Sequence, residues 1–259
     1  MKTFGWLFIV FLMFSCSSGD TTTDAVTDPV NYDLIYHYSV LKALDNGVLE
    51  GTMIVGELKK YGDIGLGTFN GTDGEMIVLN GEVYRVSAEG SIVKPDDAQL
   101  VPYTVLSFFR PDDTLQMEGI IDYPSLIEYA EGKLPSQNLF YAIRISGEFE
   151  YIKCGGAFKQ ERPYDKSLPE MLANRPIYEA VNIFGTLVGY WCPKYIGDIN
   201  SDGFHLHFLS DDHSVGGHLL EFTASSLEIV YDDKSQYKIV LLETDEFKKA
   251  VFREEKVDY

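Results

Sequence analysis

The chain has 259 residues, 45% of them hydrophobic and 24% charged, enough for one large domain or two small ones with a buried core. Forty acidic side chains against 21 basic ones leave a net charge of −19, which argues against a nucleic-acid partner and against polybasic contact with a membrane. An anionic substrate therefore needs a local positive site, either a metal ion or an arginine.

Residues 1–15 carry Lys2 and then an apolar run from Phe4 to Phe14, too short to span a bilayer as a helix and suited to a secretory signal. The run ends at Cys16, and this segment resembles a bacterial lipoprotein signal, in which the cysteine becomes the lipidated first residue. Phe14 departs from the strictest form of that motif, so ordinary cleavage and secretion stay open. Residues 16–31 are rich in Ser, Thr and Asp, as a flexible tether is. These features imply an exported protein, periplasmic or at the cell surface, whose membrane contact is a lipid anchor at Cys16. Cys154 and Cys192 remain after processing, and pairing or free thiols both fit the sequence.

Tyr36–Ala43 and Val55–Tyr61 read as short helices, the second closed by Gly62. Strands begin at Ile64. Glu75–Leu79 and Glu82–Val86 flank Asn80-Gly81, a two-residue hairpin signal. Val101–Phe109 and Leu115–Ile121 continue the sheet, Ser125–Gly132 is a helix opened after Pro124, and Leu139–Lys153 alternates as a long strand. Gln160–Pro176 holds three prolines and many charges around one short helix at Pro169–Asn174, and is the candidate boundary. Beyond it Tyr178–Phe184, Thr186–Trp191, two His-bearing strands, Leu227–Val230 and Tyr237–Leu242 make a second β-rich unit. The expected fold is α+β: a mixed-sheet domain over 32–160 and a metal-binding β domain over 161–259, ending in an amphipathic tail from Glu246. The metal site would face the cleft between them.

The densest chemistry lies in Gly203–Phe222, GFHLHFLSDDHSVGGHLLEF. In a strand, Phe204, Leu206 and Phe208 point one way while His205 and His207 point the other, about 6.7 Å apart. A turn-prone run then reverses the chain, and His218 opens an apolar strand that can lie alongside the first. Three imidazoles with bonds of about 2.0–2.1 Å and a fourth position open is the arrangement of a catalytic zinc. His213, in the turn, and His37, among tyrosines, read as solvated or hydrogen-bonded bystanders.

Two further segments stand out: Gly65–Glu75, GLGTFNGTDGE, whose last residue starts a strand, and Tyr141–Gly147, YAIRISG, with Arg144 between apolar neighbours. Each taken alone has an ordinary structural explanation, a glycine-rich turn with an exposed acid and a strand ion pair. In this order and spacing, GLGTFNGTDGEM, YAIRISG and GTLVGYW…GFHLHFLSDDHSVGGH resemble the bacterial α-acetolactate decarboxylases, from about Asp33 to the C-terminus. The resemblance implies a dimeric two-domain zinc enzyme that converts acetolactate to (R)-acetoin and carbon dioxide on the route to butanediol. Matched by position, it implies Zn2+ on His205, His207 and His218, with Glu75, Arg144 and Thr68 in the site. A further C-terminal acid falls best on Asp258, with Glu255 or Glu254 as substitutes. The lipoprotein-like signal is unlike the cytoplasmic location common in that family.

Cupin-type enzymes and α-type carbonic anhydrases also use His-x-His with a later His. The ten residues between His207 and His218 are too few for the latter, and Ser210-Asp211-Asp212 stands where a cupin needs glutamate. A surface lipoprotein binding module, its zinc closed by four ligands, is the non-enzymatic alternative.

Overall fold

A computed structural model describes Met1 and residues 30–252, and from Asn31 onward the chain forms one compact unit. β1 (Leu34–Tyr38), α1 (Leu41–Asp45), β2 (Met53–Ile54), α2 (Val55–Leu58), β3 (Ile64–Thr68), β4 (Glu75–Leu79), β5 (Glu82–Val86) and β6 (Ile92–Val93) come first. Then follow β7 (Leu100–Val101), β8 (Tyr103–Ser107), β9 (Asp113–Asp122), α3 (Tyr123–Lys133), β10 (Phe140–Gly155) and α4 (Leu168–Leu172). The rest is β11 (Ile177–Cys192), β12 (Gly203–Ser210), β13 (Gly216–Lys234), β14 (Gln236–Val240) and α5 (Asp245–Lys249).

One mixed sheet runs β14-β1-β8-β3-β4-β5-β6. The other runs β10-β11-β12-β13-β9, and β10 also pairs with β13, so four strands close on themselves. Inside the closed strands Phe149 stacks edge-on against Phe208 and Phe222, with centroids 5.1 and 5.6 Å away. Such pairs contribute about 0.5–1.5 kcal/mol each beyond the area they bury. A second core, with Leu66, Ile77 and Val105 from the mixed sheet and Val188, Tyr190 and Leu209 from the closed one, glues the sheets face to face. A third, under α1 and α2, covers the opposite face of the mixed sheet.

Local signals hold where they are strongest. The Asn80-Gly81 hairpin forms with both residues at positive φ, 53° and 75°. α3 starts on a capping box, Asp122 accepting from Ser125 N–H at 2.9 Å while Ser125 Oγ accepts from Asp122 N–H at 2.8 Å.

Two expectations are corrected. Tyr36–His37–Tyr38 is strand, not helix: these rings lose rotamer freedom in a helix but pack on both faces of a sheet. β1 is further held by antiparallel β8 and parallel β14. The expected division at 160/161 cuts between β10 and β11, adjacent strands paired from Tyr141/Trp191 to Gly155/Ile177. The C-terminal β14 moreover returns to the sheet of β1, so neither sheet is confined to one side of that boundary. Long-range pairing of this kind leaves no local trace in composition. Cys154 and Cys192 are both buried free thiols.

His37 is fully buried beside Tyr103, Tyr237 and the more distant His205, and burial pushes its pKa down to about 3. The unfolded chain takes up that proton near pH 6.5, as a free imidazole does at about that value. Stability is therefore lost as pH falls from the unfolded value toward the folded one. Urea midpoints at pH 7 and pH 4 should differ less for His37→Gln than for the parent; equal differences would remove His37 from the acid response.

Candidate metal centre

Strand alternation builds the centre. Along β12, Phe204, Leu206 and Phe208 enter the core of the closed strands, leaving His205 and His207 on the face turned to the mixed sheet. β13 sets His218 directly opposite His207. The three ring centroids lie 5.3–5.6 Å apart, and one ligand nitrogen from each comes within 4.8 Å of the others. No fourth His, Cys, Asp or Glu joins that group among the described residues.

Outer contacts orient two of the rings. His207 Nδ1 donates to the Met76 carbonyl at 2.8 Å, and His205 Nδ1 donates to Asn200 Oδ1 at 3.1 Å. The Ser201 N–H also donates to Asn200 Oδ1 at 2.9 Å, which fixes which end of that amide is oxygen. Both rings thus carry a proton on Nδ1 and offer Nε2, the usual state of a metal-binding histidine held by an outer partner. Burial keeps the imidazoles neutral: His205 is pushed down to about 4, and His207 and His218 well below the ordinary range. Three neutral nitrogens converging on one point, with no carboxylate among them, fit a divalent transition-metal ion.

Glu75 begins β4 on the same face as Ile77, toward the closed strands. Its Oε2 lies 3.7 Å from His207 Nε2 and its Oε1 lies 3.3 Å from Arg175 Nη2. Burial pushes the Glu75 carboxyl up to about 7, against the opposing pull of Arg175. Thr68 ends β3 opposite Glu75 and donates through Oγ1 to the Gly74 carbonyl at 2.7 Å. A cavity of about 230 Å³ joins Thr68, Glu75, Arg175 and the three histidines, walled by apolar side chains including Leu66, Phe158 and Met171.

Of the residues expected from sequence, Thr68, Glu75, His205, His207 and His218 therefore meet in one place. Arg144 does not join them. Ile143 and Ile145 fill the closed core, so Arg144 takes the opposite face, pairs with Val188 and Val230, and lies 5.7 Å over the Phe109 ring. The β10 residue beside the centre is instead Gly155, the register partner of His218. Asp258, Glu255 and Glu254, like the signal segment and Cys16, lie outside the described residues. Sequence reasoning missed Arg175 and Asn200. Arg175 sits in the Pro-rich stretch read as a boundary, and Asn200 in a loop before β12; neither position has a periodicity that would aim it inward. His213, at φ 55° in the turn, packs against Tyr84 and stays outside the centre.

Fold and centre together define a mixed-sheet β protein with a three-histidine site beside a buried acid. The chain belongs to the alpha-acetolactate decarboxylase family, whose model matches residues 35–254. It is 35% identical to the Bacillus licheniformis alpha-acetolactate decarboxylase over 222 residues, 86% of this chain and 87% of that one. The Methanosarcina mazei alpha-acetolactate decarboxylase is 34% identical over 84% of this chain and 75% of its own length. The crystal structure of alpha-acetolactate decarboxylase from Bacillus subtilis strain 168 superimposes with a TM-score of 0.82 at 33% identity, covering 85% of this chain and 94% of that one.

Removing one imidazole should abolish metal binding, so His207→Ala is expected to retain no stoichiometric divalent ion. Loss of the outer acceptor in Asn200→Ala should weaken an added divalent ion about 10–100-fold, read by chelator competition. An Asn200→Ala affinity equal to the parent's would strip Asn200 of its orienting role.

Proposed function

We propose that this protein is a zinc-dependent enzyme that decarboxylates (S)-2-acetolactate to (R)-acetoin and carbon dioxide. The observation that carries the reading is the convergence of three neutral imidazoles and a buried carboxyl of raised pKa in one small cavity of a family decarboxylase.

Acetolactate bears its carboxylate and a hydroxyl on C2 and a ketone on C3. The bond between the carboxylate carbon and C2 breaks, and its electron pair becomes the C2–C3 π bond. The former carbonyl pair moves onto the ketone oxygen, carbon dioxide departs, and an enediolate remains. The carbonyl then re-forms as C2 takes a proton. When bound to His205, His207 and His218, zinc supplies Lewis acidity toward oxygen. The chain's own residues do the rest. Glu75, 3.7 Å from His207 and raised by burial, is placed to pass a proton from a carboxyl oxygen to C2. Thr68 positions substrate, and Leu66 and Phe158 give the methyl groups an apolar wall and exclude water.

Asp258, with Glu255 or Glu254 as its substitute, is proposed as a second acid of the same site. Export and anchoring through Cys16 are read from the signal-like residues 1–15 alone, and a homodimeric state from the family resemblance. Mass spectrometry of the mature N-terminus tests the anchor.

Zinc-loaded protein supplied with racemic acetolactate should release acetoin well above the spontaneous rate. Glu75→Gln should keep its zinc and lose about 10²–10⁴-fold in kcat, the span of a positioned acid–base group. No acetoin above background from the zinc-loaded parent would overturn the assignment.

A further inference from the structure

β10 contributes no side chain at the position paired with His218. Gly155 ends β10, paired with His218 on one side and with Ile177 on the other. A β-carbon at 155 would lie 2.5 Å from Arg175 Nε and 2.7 Å from its Cζ, distances that real β-carbons do not reach. The guanidinium of Arg175 thus fills the volume that a residue at 155 would claim.

The rest of its surroundings hold it there. Arg175 Nε donates to the Gly156 carbonyl at 3.1 Å, and the Gly156 N–H donates to the carbonyl of Pro176 at 2.8 Å. Strand end and arginine segment are clasped in both directions. Nη2 faces Glu75 Oε1 at 3.3 Å, the side chain is only 14% exposed, and it lines the same cavity as the three histidines. Neither Nη1 hydrogen has a protein acceptor among the described residues. A cation pinned at two nitrogens with the third uncommitted is prepared for another planar anion. In a chain of net charge −19 it is also the cation that this cavity offers among its described lining residues besides any bound metal.

We propose that Arg175 receives the carboxylate of the substrate, and that Gly155 is a specificity-determining position because its absent side chain is the seat of that guanidinium. The inference rests on the decarboxylase reading and goes beyond it by naming the group that recognises the acid. The cation reaches the centre from the segment between α4 and β11, not from the middle of β10 where Arg144 stands.

The test uses the zinc-loaded full chain and calorimetry, so that binding is read without turnover. Two probes divide the substrate's features: 2-hydroxy-2-methylpropanoate has the carboxylate and hydroxyl but no ketone, and acetoin has the hydroxy ketone but no carboxylate. Loss of a forked charge-assisted pair in Arg175→Ala should weaken the hydroxy acid by about tenfold or more and acetoin by less than about threefold. Gly155→Ala should reproduce that contrast, and adding it to Arg175→Ala should cost nothing further, since both remove one interaction. Arg175→Lys should fall between, because an ammonium keeps the charge without the fork. Zinc content should be unchanged throughout. Equal weakening of both probes in Arg175→Ala, or a Gly155→Ala protein that binds the hydroxy acid like the parent, would overturn the proposal. If Gly155→Ala fails to fold, the contrast between probes in Arg175→Ala and Arg175→Lys decides alone. A parent that makes no acetoin while the contrast persists would remove the reaction and leave the carboxylate seat standing.

Discussion

The bond from His207 Nδ1 to the Met76 carbonyl ties the closed strands to the mixed sheet at the point where the two halves of the site meet. One donor carries three consequences. It satisfies a buried imidazole N–H, selects the tautomer that leaves Nε2 toward the other two rings, and fixes β12 against β4, the strand that carries Glu75. A slip of one residue along β12 would turn both histidines into the aromatic core and Phe204, Leu206 and Phe208 into the cavity. The packing of Phe149, Phe208 and Phe222 makes that slip costly, so the aromatic core acts as the register lock for the metal-binding face.

Electrostatics inside the cavity are a balance between burial and one guanidinium. Burial alone would keep Glu75 protonated, and Arg175 alone would keep it ionised. Their opposition sets the carboxyl at about 7, and a dication held by the neighbouring imidazoles would add to the pull of Arg175. The Arg175 side chain also extends past Gly155, so its position is set by backbone on one side and by the acid on the other. The negative surface of the molecule therefore does not decide how its site handles an anion; local placement of a few charges does.

Features that depend on neighbours in the chain were legible in the sequence. The His-x-His face, the Asn80-Gly81 hairpin and the helix behind Pro124 rest on alternation, positive φ and capping, each written within a few residues. Glu75 and Thr68 became legible through the motif around them and meet as paired residues of β3 and β4. What stayed hidden depends on partners far along the chain. β1 looks helical until β8 and β14 are beside it, and the single unit cannot be seen until β14 returns to β1. Arg144 and Arg175 exchange places for the same reason. The motif that marked Arg144 describes its strand, whereas the cavity belongs to whichever guanidinium the fold brings past Gly155.

The same long-range closure reaches the centre through a buried polar chain. Asn200 Oδ1 accepts from His205 Nδ1 and from Tyr103 Oη, and Asn200 Nδ2 donates to Tyr237 Oη at 3.4 Å. Tyr237, on β14, is 2.6 Å from His37 Nδ1 on β1, and with its oxygen already accepting from Asn200 its hydroxyl proton is free to donate to that nitrogen. His37 Nε2 then ends the chain buried, with no partner among the described residues, a state that costs about 1–3 kcal/mol. A core built for stability alone would put an aromatic hydrocarbon at position 37. The imidazole at position 37 instead meets Tyr237, Tyr237 meets Asn200 and Asn200 meets His205, so the pairing of β14 with β1 reaches an imidazole of the site on the facing sheet.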